Sequence, residues 1–366
     1  MSATAWSIGP FTRRGEVLRQ RANLSFDCPV AGASVAWAEK DVFNPAAVVH
    51  EGRLHLLFRA EDAVGRYSGT SRLGLASSDD GITFEVEPEP VLYPDDDTWQ
   101  AWEWPGGCED PRVVESPDGG FVCLYTAFDG KSGSLFVATS ADLRHWDKRG
   151  PAFDGTPYVR RLSKSGAVVT EVVGDRLVAA RIGDRFLMYW GEGTTYGAIS
   201  EDLIHWTPLE FDPGSDRYLS YRTEDGTGSW DIHRVPGQRV LRPLLFPRPE
   251  RFDALLTEPG PPAVRTEDGV VLIYNGAEIL IDGTSTSVAY QPGQVLFDPS
   301  DPFSPLVRDH EPMSLLGPVE QLEGQVDNVC FAEGLALFKG EWFLYYGMAD
   351  SRIGCASAPG PATGQR

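Results

Sequence analysis

Residues Ala46 to Phe58 read AAVVHEGRLHLLF: an apolar run, the pair Glu51-Gly52, and a second apolar run. Period-two apolar runs on either side of a turn dipeptide predict two antiparallel strands joined by a tight hairpin. The same plan returns along the chain. Val113 to Tyr125 (VVESPDGGFVCLY) turns at Pro117-Asp118-Gly119, and Leu177 to Tyr189 (LVAARIGDRFLMY) turns at Gly183-Asp184. Ala263 to Tyr274 (AVRTEDGVVLIY) turns at Asp268-Gly269, and Leu335 to Tyr346 (LALFKGEWFLYY) at Lys339-Gly340. A second element follows the first three: SSDDGITF from Ser77, SADLRHW from Ser140 and SEDLIHW from Ser200. In each the Asp suits a tight turn and the Trp or Phe an outer strand. Hairpin, turn and outer strand recurring roughly every 60 residues fit the blades of a propeller. The expected fold is all-β, a five-bladed β-propeller.

No break in this rhythm marks a linker, so 1–366 is read as a single catalytic domain. Residues 1–40 are expected as an N-terminal extension packing on the propeller, closing the ring or lying over a neighbouring blade. Two stretches depart from the pattern, 211–250 and 298–326. Loops of that length in a compact fold are more often functional than idle. The first is expected to line the far side of a ligand site or to form a contact between copies in a homo-oligomer.

Composition narrows the function. Asp and Glu number 53 against 32 Lys and Arg, a net charge of −21. Polyanions are held by clustered cations, so nucleic acid and anionic membrane surfaces are poor partners. The five Cys are far apart, odd in number and without metal-ligand spacing, which suits reduced thiols. No apolar stretch reaches the length of a signal core or a membrane helix. A cytoplasmic location is expected. The 40 aromatic residues (10 Trp, 12 Tyr, 18 Phe) mostly build a β core, and some are available to stack on sugar rings.

In a propeller, residues at the ends of inner strands meet at one end of the axis. Polar residues gather at those positions. Asn44 precedes Pro45, and Arg59 closes the first hairpin. Cys108-Glu109-Asp110-Pro111-Arg112 opens the second. Lys164 lies between the second and third, and Glu258 opens the stiff run EPGPP before the fourth. Asp327 and Asp350 bracket the fifth. Each has a plain structural reading as turn former, salt bridge or solvated corner. Taken together, carboxylates, an Arg, an Asn and aromatics around one pocket describe a glycosidase: an acid, a base or nucleophile, and rings for stacking. No P-loop, nucleophile elbow or metal motif is present, and no cofactor is required.

These segments together resemble glycoside hydrolase family 130, the mannoside phosphorylases and β-1,2-mannosidases. The resemblance runs from about Val42 to Ala356. It rests on FNPA, RAED, CEDPR, the Ser-x-Asp-Leu turns, EPGPP, YNG, DNVCF and YYGMAD in that order. It implies that Asp110 is the general acid, reaching the glycosidic oxygen through a sugar hydroxyl. It implies that Asn44, Arg59 and Asp350 hold the terminal mannose, with Asp327 and Arg112 as neighbours. Phosphorylases of the family carry basic residues where this chain has Glu258 and Asn275. Lys164, in the run SKSG, resembles the hydrolase branch. The expectation is an inverting β-mannosidase on a small oligosaccharide, with Glu258 as base and Glu278 or Glu320 as alternatives. A mannoside phosphorylase is the first rival. A glycosidase for another sugar and a non-catalytic carbohydrate-binding propeller follow.

Overall fold

The computed structural model describes residues 6–63, 69–211, 218–222, 229–233, 238–317 and 323–361, without the side chains of 218–222, 229–233, 282 and 285. It is almost entirely β. The helix Gln100–Glu103 is a single turn, and no helix among the described residues is long and apolar enough to cross a membrane.

The first hairpin joins Asp41–His50 to Arg53–Glu61, and Ser71–Ser78 and Glu85–Val86 extend it outward, all antiparallel. Glu51 and Gly52 have φ of 49° and 75°. Positive φ at both central residues is the two-residue turn whose twist matches the strands. Lys339 and Gly340 repeat it at 51° and 82°. Gly107–Glu115, Phe121–Phe128, Gly133–Ser140 and Asp147–Pro151 form the next sheet. Further on, Val270–Asp282 pairs with Ser285–Phe297 over thirteen residues, far beyond the predicted hairpin. Pro305–Arg308 adds to its outer edge, so part of the expected 298–326 loop is strand. In the last sheet, Cys330–Phe338, Glu341–Met348 and Arg352–Pro359 are joined by Thr12–Arg19 from the other end of the chain.

The third hairpin corrects the sequence reading. Its inner strand is Gly166–Val173, not Leu177 onward. Gly166, Ala167 and Val168 pair with Trp190, Tyr189 and Met188. The strand then leaves that partner and turns at Gly174. It pairs with Arg176–Ala179 before Arg181–Ile182 rejoins Arg185–Trp190. The excursion inserts a second turn into the repeat, which hid the inner strand. Of the 211–250 insertion, the described part includes one hairpin, Tyr218–Arg222 with Ser229–His233.

The Ser-x-Asp turns share one hydrogen-bond plan. Ser140 Oγ accepts from Leu143 N at 2.9 Å, and Asp142 Oδ1 accepts from Arg144 N and His145 N at 2.9 Å each. Ser200 with Asp202 and Ser78 with Asp80 do the same. Trp206 then reaches the preceding sheet, its backbone N–H donating to Ala152 O, while its indole N–H donates to Leu203 O.

The cores lie between sheets. Leu57 and Leu75 of the first pack with Cys123 and Phe136 of the next, and Leu124 packs with Met188 of the third. Tyr189 and Tyr274 share a core, as do Ile273 and Leu344. Tyr345 and Ile353 then pack back on Leu54 and Leu56. The sheets therefore stack face to face in a closed ring, an arrangement consistent with a β-propeller. The five Cys are buried and free.

Candidate active site

Two inner strands are irregular at corresponding points. Pairing slips between Phe43 and Pro45, and again between Glu109 and Arg112. At the slips, Asn44 and Asp110 have φ of 47° and 49°. Positive φ is uncommon outside Gly, and a residue before proline ordinarily keeps to extended backbone. Bulges re-aim side chains. Here Asn44 Nδ2 donates to Asp110 Oδ1 at 2.9 Å. A Cβ added to Gly347 would stand 2.4 Å from Asn44 Oδ1, so YYGMAD needs its Gly at that approach. A third bulge, between Ala332 and Gly334, carries Glu333.

Arg59 ties the acids together. It donates to Asp110 Oδ1 at 3.0 Å, Glu61 Oε1 at 2.7 Å, Glu109 Oε1 at 3.0 Å and Ser71 Oγ at 3.0 Å. Its guanidinium sits 4.6 Å over the Phe43 ring. The salt-bridge reading of Arg59 holds: it pairs with Glu61, and it also touches Asp110.

Arg112 does not line the cavity. It is buried beneath it and donates to backbone carbonyls: Asp110 and Lys164 at 2.9 Å, Pro259 and Gly260 at 3.2 Å. One guanidinium thus holds three site-bearing segments. Asn275 is also spent on backbone. Its amide donates to Ala332 O at 3.0 Å and accepts from Ala332 N at 2.8 Å.

Asn44, Arg59, Asp110, Lys164, Glu258 and Asp350 come together around one cavity of about 150 Å³. Burial pushes the Glu258 carboxyl up to about 8, with Glu192 adding to it and Arg112 and Lys164 opposing. Burial likewise lifts Asp350 to about 7 against the pull of Arg59. Burial also raises Asp110, but Arg59, Lys164, Arg112 and the Asn44 hydrogen bond outweigh it and hold the group below the usual carboxylate range. Lys164 is held charged despite burial, chiefly by Glu109 and Asp110. The sequence reading gave Asp110 the proton and Glu258 the open carboxylate. The surroundings of the two carboxyls push them the other way.

The lining is rich in acceptors. Asn44 Oδ1 and Glu192 Oε2 are buried with no hydrogen-bond partner among the described residues. The cavity's cations, Arg59 and Lys164, face Asp110, Glu192, Glu258 and Asp350. Such a lining suits a ligand that brings hydroxyl hydrogens. Among the described residues no cluster of three or more His, Cys, Asp or Glu is arranged to hold a metal ion.

A family model described as beta-1,4-mannooligosaccharide phosphorylase matches residues 25–224 and 229–360. The chain belongs to glycoside hydrolase family 130. Within the family, it is 29% identical over 328 residues to a 1,2-beta-oligomannan phosphorylase of Thermoanaerobacter sp. (strain X514), covering 87% of this chain and 90% of that one. It is 39% identical, with a TM-score of 0.83, to a solved glycosyl hydrolase from Bacteroides ovatus, covering 97% and 95% of the two chains. A third relative was solved under the statement that the GH130 family of mannoside phosphorylases contains glycoside hydrolases targeting beta-1,2 mannosidic linkages in Candida mannan. It is 39% identical, with a TM-score of 0.84 and 98% of each chain covered.

Other expected site residues of this family 130 chain fall elsewhere. Asp327 is exposed and accepts from Gly324 N at 3.1 Å, so its carboxylate caps a turn outside the cavity. Glu278 is half-buried on the long hairpin and off the cavity lining. Glu320 lies outside the described residues. Sequence reasoning missed Glu192, Tyr290 and Glu333. Glu192 sits between two glycines just after Tyr189-Trp190, and that Gly-Glu-Gly was its only signal. Glu333 is a lone acid inside the apolar run Cys330–Phe338, a place where a charge needs a reason.

Proposed function

We propose that this chain hydrolyses β-1,2-linked mannosides, releasing mannose by a single inverting displacement. In this reading 1–366 form one five-bladed β-propeller, each sheet a blade, with the reaction at one end of its axis. The observation that carries the proposal is the acceptor-rich lining. Glu258 and Glu192 stand where a phosphate would need cations, and Arg59 is already matched by three acids. Sugar hydroxyls can donate to Asn44 Oδ1 and Glu192 Oε2 and accept from a protonated Glu258, whereas phosphate would meet acids in place of the cations it needs.

Asp110 and Glu258 are the reacting pair. Inversion needs one carboxyl to protonate the leaving oxygen and one carboxylate to take a proton from the attacking water. Low Asp110 and high Glu258 mean that the pair shares one proton at neutral pH, the number the reaction uses. A sugar hydroxyl next to Asp110 offers a route for moving it. Asn44, Arg59, Lys164 and Asp350 hold the terminal sugar, and Arg112 holds the backbone beneath.

Phosphorolysis is the second reading, favoured by the names of the curated relatives and by the charged Lys164. Incubation with β-1,2-mannobiose, with and without phosphate, separates the two. Hydrolysis predicts free mannose at equal rates in both. Mannose 1-phosphate, formed only with phosphate present, would replace this reading by the second.

A further inference from the structure

We propose that Glu333 is a positioning residue of this site: its carboxylate is the counter-charge that keeps Arg112 in place, and through Arg112 it fixes Asp110 against Glu258. The inference rests on the acid-pair reading above.

Glu333 is fully buried, and Arg112 is 1% exposed. Glu333 Oε1 lies 3.0 Å from Arg112 Nη1, the one ion pair Arg112 makes among the described residues. Yet neither carboxylate oxygen accepts a hydrogen bond there. Arg112 Nη1 is already engaged with the Asp110 and Lys164 carbonyls. Burial pushes the Glu333 carboxyl well up and Arg112 pulls it down; the guanidinium stays protonated and has no other counter-ion among the described residues, so at 3.0 Å the interaction is charge against charge. A buried guanidinium without a counter-ion is strongly destabilised, and its pull on the four carbonyls would weaken.

The backbone holds Glu333 at this spot. Ala332 is clamped through both N and O by Asn275, which pairs across the sheet with Glu258. Gly334 comes so close to Pro45 O that an added Cβ would stand 2.7 Å away. The bulge carrying Glu333 is thus braced by the strand of Glu258 on one side and by the Asn44 bulge on the other. The groups facing Glu333 are Arg112, Asp110, Glu258 and Arg59. Those facing Glu258 are Glu192, Arg112, Lys164, Asp110, Tyr290 and Glu333.

The test compares wild type with Glu333→Gln on β-1,2-mannobiose across pH, with thermal unfolding as a check of folding. Glu333→Gln keeps the shape and removes the charge. The expected result is a kcat lower by about tenfold or more with KM within about twofold. The alkaline limb of kcat/KM should also move to lower pH, because Glu258 then faces the same cations with one acid fewer. A wild-type kcat, or a lower kcat with the limb unmoved, overturns the proposal. If Glu333→Gln does not fold, Glu333→Asp decides, since it keeps the charge but withdraws it. A lower kcat with the limb in place supports the proposal, and a wild-type kcat refutes it. If wild type proves phosphate-dependent, the same ratios are measured in phosphate, because Arg112 braces Asp110 in either reaction. The failure of hydrolysis and the failure of the Glu333 role are then separate results.

Discussion

Asp110 and Glu258 are both buried carboxyls, yet their surroundings push them in opposite directions. Burial acts on each, but Asp110 has Arg59 at 3.0 Å and Asn44 at 2.9 Å, whereas Glu258 has Glu192 as its strongest charged neighbour. In the proposed hydrolysis the reactive form carries one proton across the two. As pH rises through about 8, Glu258 loses that proton and the pair has none to give to the leaving group. kcat/KM should therefore hold through neutral pH and fall above about pH 8, whichever carboxyl delivers the proton. Asp350, lifted to about 7, titrates within the same range, so Glu258→Gln is the decisive comparison. Glu258→Gln and Asp110→Asn should each nearly abolish turnover with folding intact, and the residual rate of Glu258→Gln should lack the limb near pH 8. A Glu258→Gln profile that retains the limb would assign it to another group. Asp110 and Asn44 were legible in the sequence because proline follows each and fixes it at a strand end. Glu333 was not, because a single acid in an apolar strand reveals neither its partner nor its depth. Arg112 was placed beside the sugar by the family resemblance, but its guanidinium makes four hydrogen bonds to backbone carbonyls and pairs with Glu333.

The hairpins were legible through turn chemistry. Glu51-Gly52 and Lys339-Gly340 are short, take positive φ at both residues, and fix the register of the strands around them. The third was misread because the Gly174 excursion splits its inner edge between two partners, and period-two alternation carries no information about which partner follows. The Ser-x-Asp turns were read correctly as repeats. Their chemistry is local, with side-chain oxygens replacing backbone acceptors two and three residues on. Asp142 serves two backbone N–H groups and the His145 ring, and these bonds hold it well below the usual carboxylate range despite some burial. Asp142→Ala should cost about 1 kcal/mol, an amount tempered by solvent access. The thermal midpoint should drop slightly, with kcat unchanged because the turn lies outside the cavity. An unchanged midpoint would mean that water replaces the carboxylate without loss.

A ring of sheets must be closed by something, and here the two chain ends do it. Thr12 pairs with Ser357 and Arg19 with Arg352, so the outer strand of the last sheet comes from the start of the chain. Arg14 Nε adds a bond to Ser357 Oγ at 2.8 Å, and Leu18 is buried in the core between the last and first sheets. Farther toward the N-terminus, Ile8 exchanges two backbone bonds with the Gln294 amide, at 2.9 and 3.1 Å, and packs between the last sheet and its neighbour. This segment therefore fastens two sheets to the rest of the ring. Contacts so distant in sequence form only after the chain between them is ordered, so their loss is felt throughout the ring. Removing residues 1–20 would also leave Arg352–Pro359 as an open edge, a template for pairing with other chains. The truncated protein should unfold at a lower temperature than the Asp142→Ala variant and should aggregate on heating. A peptide of residues 1–20 added in excess should restore part of the midpoint, since it binds only the folded ring. Unfolding at the wild-type midpoint without the segment would show that the face-to-face cores alone hold the ring shut.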